Sequence, residues 1–386
     1  MAQTSRAEEA RAARETKTQA LEPYRKSRVE AALFAIEDDL LIERLLSPPR
    51  GFHVRLGGLG EGAGFGLGPG FRHNTPGVDV RAAAAVSFKR YVLAEAAVRF
   101  PGTLTDTLYT WRDGPYVELY ARRRDFPQED FYGIGPDTSE AARSNFALRE
   151  SFARVTGGVR RGLFTAAAGV GYLDPSVGAG TDDDMPSTTE AFDPDDVPGL
   201  AAQPSFVVME PFVEWASMNP ALNDMSGGRY RLSFSRYHDL DLQQFSFSRW
   251  ELDVRHYVAF FGASRTIALR GRLTSSVASD GQQVPFYLQP TLGGANTLRG
   301  FRTFRFRDDS ALLLQAEYRW RINELVTGAL FCDAGAVAPR LSGLGTLERD
   351  CGFGLRAGTR TGVVFRLDAA FGGEGPRLLL RFEDVF

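Results

Sequence analysis

From residue 50 onward the chain alternates apolar and polar side chains with a period of two, run after run, between glycine-bearing turns. Ser310 to Ile322 is the clearest run. Leu312, Leu314, Ala316, Tyr318, Trp320 and Ile322 fall on one side, and Ala311, Leu313, Gln315, Glu317, Arg319 and Arg321 on the other. Successive side chains of a strand point to opposite faces. This run therefore predicts a strand whose apolar face becomes aromatic toward its end, backed by a face that becomes acidic and then basic. The same split sets Trp250, Leu252 and Val254 against Arg249, Glu251, Asp253 and Arg255, and Ile267, Leu269 and Leu273 against Arg270 and Arg272. It returns with Val363, Phe365, Leu367, Ala369 and Phe371 against Arg366 and Asp368, and with Leu378, Leu380, Phe382 and Phe386 against Arg377, Arg381 and Glu383.

A soluble sandwich also alternates, but its polar face meets bulk water and rarely needs so many opposed charges. Repeated charged faces, with aromatics near the strand ends, match an all-β transmembrane barrel with an outer apolar band, aromatic girdles and a polar lumen. The pattern predicts strands near 50–58, 62–73, 76–88, 88–100, 114–124, 142–155, 157–171 and 205–216. It continues with 226–239, 243–259, 263–277, 309–322, 325–336, 350–359, 360–371 and 376–386. Sixteen is an even number, as a closed antiparallel barrel in a bacterial outer membrane requires, because lipid tolerates no unpaired edge. The long connections at 125–141, 172–204 and 278–308 follow the fifth, seventh and eleventh strands, so all three fall on one side, expected to be the extracellular one.

The first 49 residues differ. Residues 1–20 are small and charged and predict a disordered tail. Over 21–48, Val29, Leu33, Ile36, Leu40 and Leu41 recur at helical spacing, with Glu37, Asp38 and Asp39 on the other side and Pro48-Pro49 as the stop. This predicts an amphipathic periplasmic helix, packed on the later part of the chain, lying on a membrane surface or binding a partner. The opening MAQTSRAEEARAARE lacks the apolar core of a signal peptide, which suggests a truncated or misassigned start for an exported protein.

Composition narrows the chemistry. A net charge of −3 without a basic tract gives no reason to expect a nucleic-acid partner. No apolar run is long enough for a membrane helix, and the mild mean hydropathy of −0.21 is what alternating strands average to. His53, His73, His238 and His256 are scattered, so no metal and no cofactor are expected. A barrel phospholipase would need serine and histidine together, yet alternation puts Ser233 and Ser235 on the face opposite His238; no enzyme activity is expected. The acidic stretch 174–198, with Asp182, Asp183, Asp184, Asp193, Asp195 and Asp196, reads as a solvated loop, with calcium as the alternative. Cys332 and Cys351 fall on neighbouring strands with both sulfurs on the lipid side, expected as two small apolar residues, with a disulfide as the alternative.

Between the eleventh and twelfth strands lies LGGANTLRGF, residues 292–301, a lone arginine among leucine, glycine and phenylalanine. Together with Pro285-Phe286-Tyr287, the residues Leu292, Gly293, Gly294, Leu298, Arg299, Gly300 and Phe301 resemble the loop-six signature of the bacterial surface antigen superfamily, which includes BamA and TamA. Glu317 in AEYRW and Asp333 in FCDAGAV match the acidic residues of that family's twelfth and thirteenth strands. GFGLRAGTRTGVVFRLDAAFG resembles its paired penultimate strands, FYGIG at 131–135 its third loop, and Phe386, with Phe382, its C-terminal barrel signal. The resemblance covers residues 50–386. It implies a sixteen-stranded barrel whose signature loop folds into the lumen, with Arg299 bridging Glu317 and Asp333. A guanidinium suits two carboxylates because its fork is planar and fixed, and Gly293, Gly294 and Gly300 permit close turns.

The resemblance further implies a role in inserting or exporting proteins at the outer membrane, through local membrane thinning and a weak seam between the first and last strands. The expected partners are the outer-membrane bilayer and unfolded outer-membrane proteins or an exported substrate; the oligomeric state is left open. A passive structural barrel or narrow channel is the alternative. Well-known members carry periplasmic POTRA domains, for which the fewer than fifty residues before the first strand are too few.

Overall fold

The computed structural model describes residues 50–57, 59–102, 112–217, 226–262, 264–323, 326–359 and 362–382. The predicted tail 1–20, the predicted helix 21–48 and Phe386 lie outside the described residues. Sixteen strands hydrogen-bond in chain order into one antiparallel sheet. They begin with β1 (Arg50–Leu56), β2 (Gly66–Asn74), β3 (Asp79–Ser87), β4 (Val92–Phe100), β5 (Gly114–Phe131) and β6 (Ser144–Arg161). β7 (Phe164–Ala179), β8 (Phe206–Ala216), β9 (Gly227–Asp239), β10 (Phe247–Phe260) and β11 (Arg265–Ala278) come next. The connection after them holds a small hairpin of β12 (Thr291–Leu292) and β13 (Phe306–Arg307). β14 (Ser310–Arg321), β15 (Val326–Ala338), β16 (Glu348–Thr359), β17 (Gly362–Gly372) and β18 (Gly375–Arg381) complete the wall.

Alternation settles which way each face points. Leu314 and Tyr318 of β14, Trp250 and Leu252 of β10 and Leu378 and Leu380 of β18 stand exposed on the outer face. So large a contiguous apolar surface is stable only against lipid or another protein. Near the short-turn ends Trp215 packs on Tyr230 and Tyr318 on Trp320, rings 5.2 and 6.0 Å apart, at the level of a headgroup girdle. The inner face is ionic. Arg122 and Arg124 of β5 both bind Glu150 of β6, Arg231 of β9 binds Glu210 of β8 at 2.9 Å, and Arg255 and Arg270 hold Asp253 at 2.9 and 2.8 Å. Among the described residues the single lysine, Lys89, sits in a turn, so arginine supplies the inner ion pairs. Its planar fork bridges carboxylates on adjacent strands, which an ammonium does less well.

The strands begin and end near their expected positions except from β5 to β7. The expected strands 142–155 and 157–171 divide at residue 156, just before Gly157 and Gly158. The chain instead turns at Gly162 (φ +57) and Leu163, and Gly157 and Gly158 stay inside β6. Gly158 is there because the Tyr116 ring lies where its Cβ would be, 2.7 Å away. β5 also runs on to Phe131, with a register shift between Phe126 and Glu129, and β7 reaches Ala179. The wall is therefore much taller there than the alternation suggested.

At the other side it is low. Among the described residues, β1 and β18 have seven residues each, against eighteen in β5 and β6. Seven residues rise roughly 23 Å along a strand and, tilted by about 40°, roughly 17 Å along the membrane normal, short of the ~25 Å apolar band of such barrels. No ladder joins β1 to β18 among the described residues. Their ends do meet: a side chain at Gly57 would strike Phe382, whose ring lies 4.7 Å from that of Phe65.

Cys332 of β15 and Cys351 of β16 are paired in register on the outer face, as alternation requires, and joined by a disulfide. This corrects the reading of two unlinked apolar residues. Directly opposed residues on antiparallel strands bring their Cβ atoms within bonding reach.

Candidate functional site

Residues 279–309 connect β11 to β14 and turn into the lumen. The chain passes through Pro285 and the buried Phe286 and Tyr287, forms β12, reverses across residues 293–301 and returns as β13. Gly293 and Gly294 sit at φ +108 and +107, a region that favours glycine. A Cβ at Gly293 would strike the Arg302 carbonyl, and one at Gly294 would lie 2.7 Å from Glu61 Oε2. The Gly293 N–H donates to Thr297 Oγ1 at 2.9 Å and the Gly294 N–H to the Leu298 carbonyl at 3.1 Å, which closes the reversal. Leu292, Leu298 and Phe301 bury themselves with Phe306, Ala311, Leu313 and Val337, so the apolar residues of the motif anchor the loop to β14 and β15.

Arg299 is thereby driven into the wall with no solvent exposure. Its Nε donates to Asp333 Oδ2 at 2.6 Å, Nη2 to Asp333 Oδ1 at 2.7 Å, and Nη1 to Glu317 Oε1. Its guanidinium lies 3.4 Å from the centre of the Phe331 ring. Burial opposes its charge, but the adjacent Asp333 and Glu317 carboxylates outweigh that and hold the guanidinium's pKa above its ordinary value. Gly300 is required next to it: a Cβ there would lie 2.8 Å from the Gly372 backbone and against Asp350.

The arginine and its two carboxylates belong to a larger cluster. Arg356 donates to Glu317 Oε1 at 2.8 Å and to Asp368, Arg319 Nε to Glu317 Oε2 at 2.7 Å, and Arg366 Nε lies 3.3 Å from Asp368. Gln315 ties Asp333 to the Thr297 carbonyl at 3.1 and 2.9 Å. Four arginines and three carboxylates are thus linked by ion pairs, and Asp350, opposite Asp333 in register, is buried beside them. Sequence reasoning named Arg299, Glu317 and Asp333 as partners. Alternation put Arg319, Arg356, Arg366 and Asp368 on the same face but gave no sign that they share one level.

The loop also carries a roof. Phe286 and Tyr287 pack with Phe131, Phe146, Leu148, Val197 and Leu200, so FYGIG and the 180–205 connection close over the same end of the lumen. Gly135 donates its N–H to the Arg307 carbonyl at 2.8 Å, and Arg305 binds Thr138 and Glu374. Burial lowers the Arg307 pKa to about 10, with Glu129 acting against the drop, and pushes the Asp308 carboxyl up to about 6. In the acidic connection Asp182 and Asp193 turn their carboxylates onto backbone N–H groups two residues ahead. Ser233 and Ser235 face the lumen and His238 the opposite side. Phe382 packs on Phe65 and Phe365 at the meeting of the sheet's two ends.

The comparisons with known proteins converge on this region. Residues 217–372 match the model of the Omp85 superfamily domain. The matched stretch holds the inward loop and all eight charged members of the cluster. The fold resembles that of BamA from Haemophilus ducreyi lacking POTRA domains 1–3, with a TM-score of 0.61 at 14% identity over 86% of this chain and 70% of that one. It also resembles CdiB from Escherichia coli, with a TM-score of 0.55 at 12% identity over 86% of this chain and 61% of that one. The chain thus spans less than two thirds of the CdiB chain. No curated protein sequence matches it. At such identities the structural likenesses speak for the fold, a sixteen-stranded β-barrel, and the match to the Omp85 superfamily model supports an outer-membrane location.

Proposed function

We propose that this barrel acts non-catalytically in inserting or exporting proteins at the outer membrane, with the low, unzipped meeting of β1 and β18 as its working edge. The observation that carries this reading is the contrast within one wall. Among the described residues, strands of eighteen residues stand on one side, and seven-residue strands without a shared ladder on the other. A short wall pulls the bilayer thin beside it, because a hydrophobic span shorter than the lipid core is matched by local thinning. A thinned bilayer lowers the barrier to a client strand, and an edge with free N–H and C=O groups is a template for pairing. The packed roof and the buried ion cluster favour this reading over a wide pore. The cluster would serve it by holding the inward loop, and so β14 to β17, rigid while the edge works.

A photo-crosslinking residue placed at Phe52 of β1, and separately at Val155 of the tall wall, tests this with an outer-membrane protein arrested during insertion. Adducts from position 52 and not from 155 are expected. Equal adducts from both, or none from 52, would remove the edge from the account.

A further inference from the structure

The loop from β1 to β2 lies within GGLGEGAGFG, residues 57–66, where one charged residue, Glu61, stands among six glycines. Leu59 and Ala63 bury themselves with Tyr91, Leu93 and Phe126, which folds the loop inward. Glu61 arrives at three donors. Its Oε1 accepts the Asn296 N–H at 2.8 Å, and its Oε2 accepts the Ala295 N–H at 3.1 Å and Arg381 Nη2 at 2.6 Å. The first two belong to the inward loop and the third to β18. The same peptide is gripped from its other side, where Arg366 Nη2 donates to the Ala295 carbonyl at 2.8 Å and to Asn296 Oδ1 at 2.9 Å. Arg366 in turn lies 3.3 Å from Asp368, within the cluster that holds Arg299.

We propose that Glu61 is a positioning residue that clasps the first and last strands together only while the inward loop is seated. The carboxylate links two elements: its pairing with Arg381 crosses the edge where no ladder joins β1 to β18 among the described residues, and its two backbone donors come from the loop. If the loop withdraws, Glu61 loses both N–H donors and the remaining pair is a partly exposed one, with side chains 14% and 15% accessible, which water readily replaces. Conversely, a broken pair leaves the carboxylate less firmly aimed at Ala295 and Asn296. The two events are thermodynamically reciprocal. This inference concerns how the edge is held, and its test reads amide exchange, so it stands apart from whether the barrel inserts proteins.

Hydrogen exchange of the full chain in phospholipid nanodiscs tests it. Arg381→Gln touches no residue of the loop, yet exchange at Ala295 and Asn296 is expected to accelerate about tenfold along with residues 378–382, as for a local opening made easier. Acceleration confined to 378–382 would overturn the proposal. Arg299→Ala, which unseats the loop from the far side, is expected to speed exchange in 52–56 and 378–382; unchanged edges would overturn it equally. Glu61→Gln is expected to accelerate all three segments. If that variant does not fold, Glu61→Asp, shorter by one methylene but still charged, is expected to do so to a smaller degree, and wild-type exchange in Glu61→Asp would count against the clasp.

Discussion

Arg299 carries its charge where no water reaches, and Glu317, Asp333 and Asp368 pair with it and three other arginines. Removing one partner from such a set strands a charge, which typically costs about 3–5 kcal/mol, even though the intact set adds little net stability. Arg299→Ala is therefore expected to lower the denaturant midpoint of the folded barrel by that order. Arg299→Lys should lose stability too, because a point charge cannot fork across Asp333 and Glu317. A wild-type midpoint in Arg299→Ala would contradict the anchored loop. The three partners were legible because each stands in a motif with an order. Asp368 and Arg356 were not, since alternation fixes a residue's face and leaves its level to register and strand tilt. Glu61 had a signal, one charge in a run of glycine, but nothing in the sequence says what it meets.

At the level of elements the sixteen strands could be read from period two alone, because lipid outside and ions inside enforce strict alternation. The β6–β7 hairpin could not, because Gly157-Gly158 has the composition of a turn, while Gly158 sits within the strand to admit the Tyr116 ring. The amphipathic helix over 21–48 lies outside the described residues. The β15–β16 pair shows a tension of its own. Asp333 faces Asp350 in register, and like charges directly opposed destabilise a ladder. One residue away the Cys332–Cys351 bond pins the same register. A bond closing a loop of this size is worth roughly 3 kcal/mol in the chain-entropy account. Reductant, or Cys332→Ser with Cys351→Ser, is expected to lower the unfolding midpoint accordingly, and an identical midpoint with and without reductant would show that the bond constrains nothing.

The whole molecule has a tall wall, a low edge, a packed roof and a buried ionic anchor, and each affects the others. The roof should respond to pH through Asp308, whose carboxyl burial pushes up to about 6 from an unfolded value near 4. A folded pKa above the unfolded one means that the native state holds the proton more tightly. Its contribution is fully present below about pH 4 and is lost as pH rises through 6. Asp308→Asn should flatten that part of the stability profile, and a slope between pH 4 and 6 that survives the substitution would assign it elsewhere. The account as a whole rests on the low edge doing work on another protein, and the most direct measurement is folding of a client. The purified barrel would be reconstituted in liposomes and an unfolded small outer-membrane barrel added, its heat-resistant folded form followed on a gel. The account predicts faster client folding than in empty liposomes, and loss of that gain in Arg299→Ala. No acceleration by a barrel shown to be folded would contradict it and leave a passive structural barrel or a narrow channel.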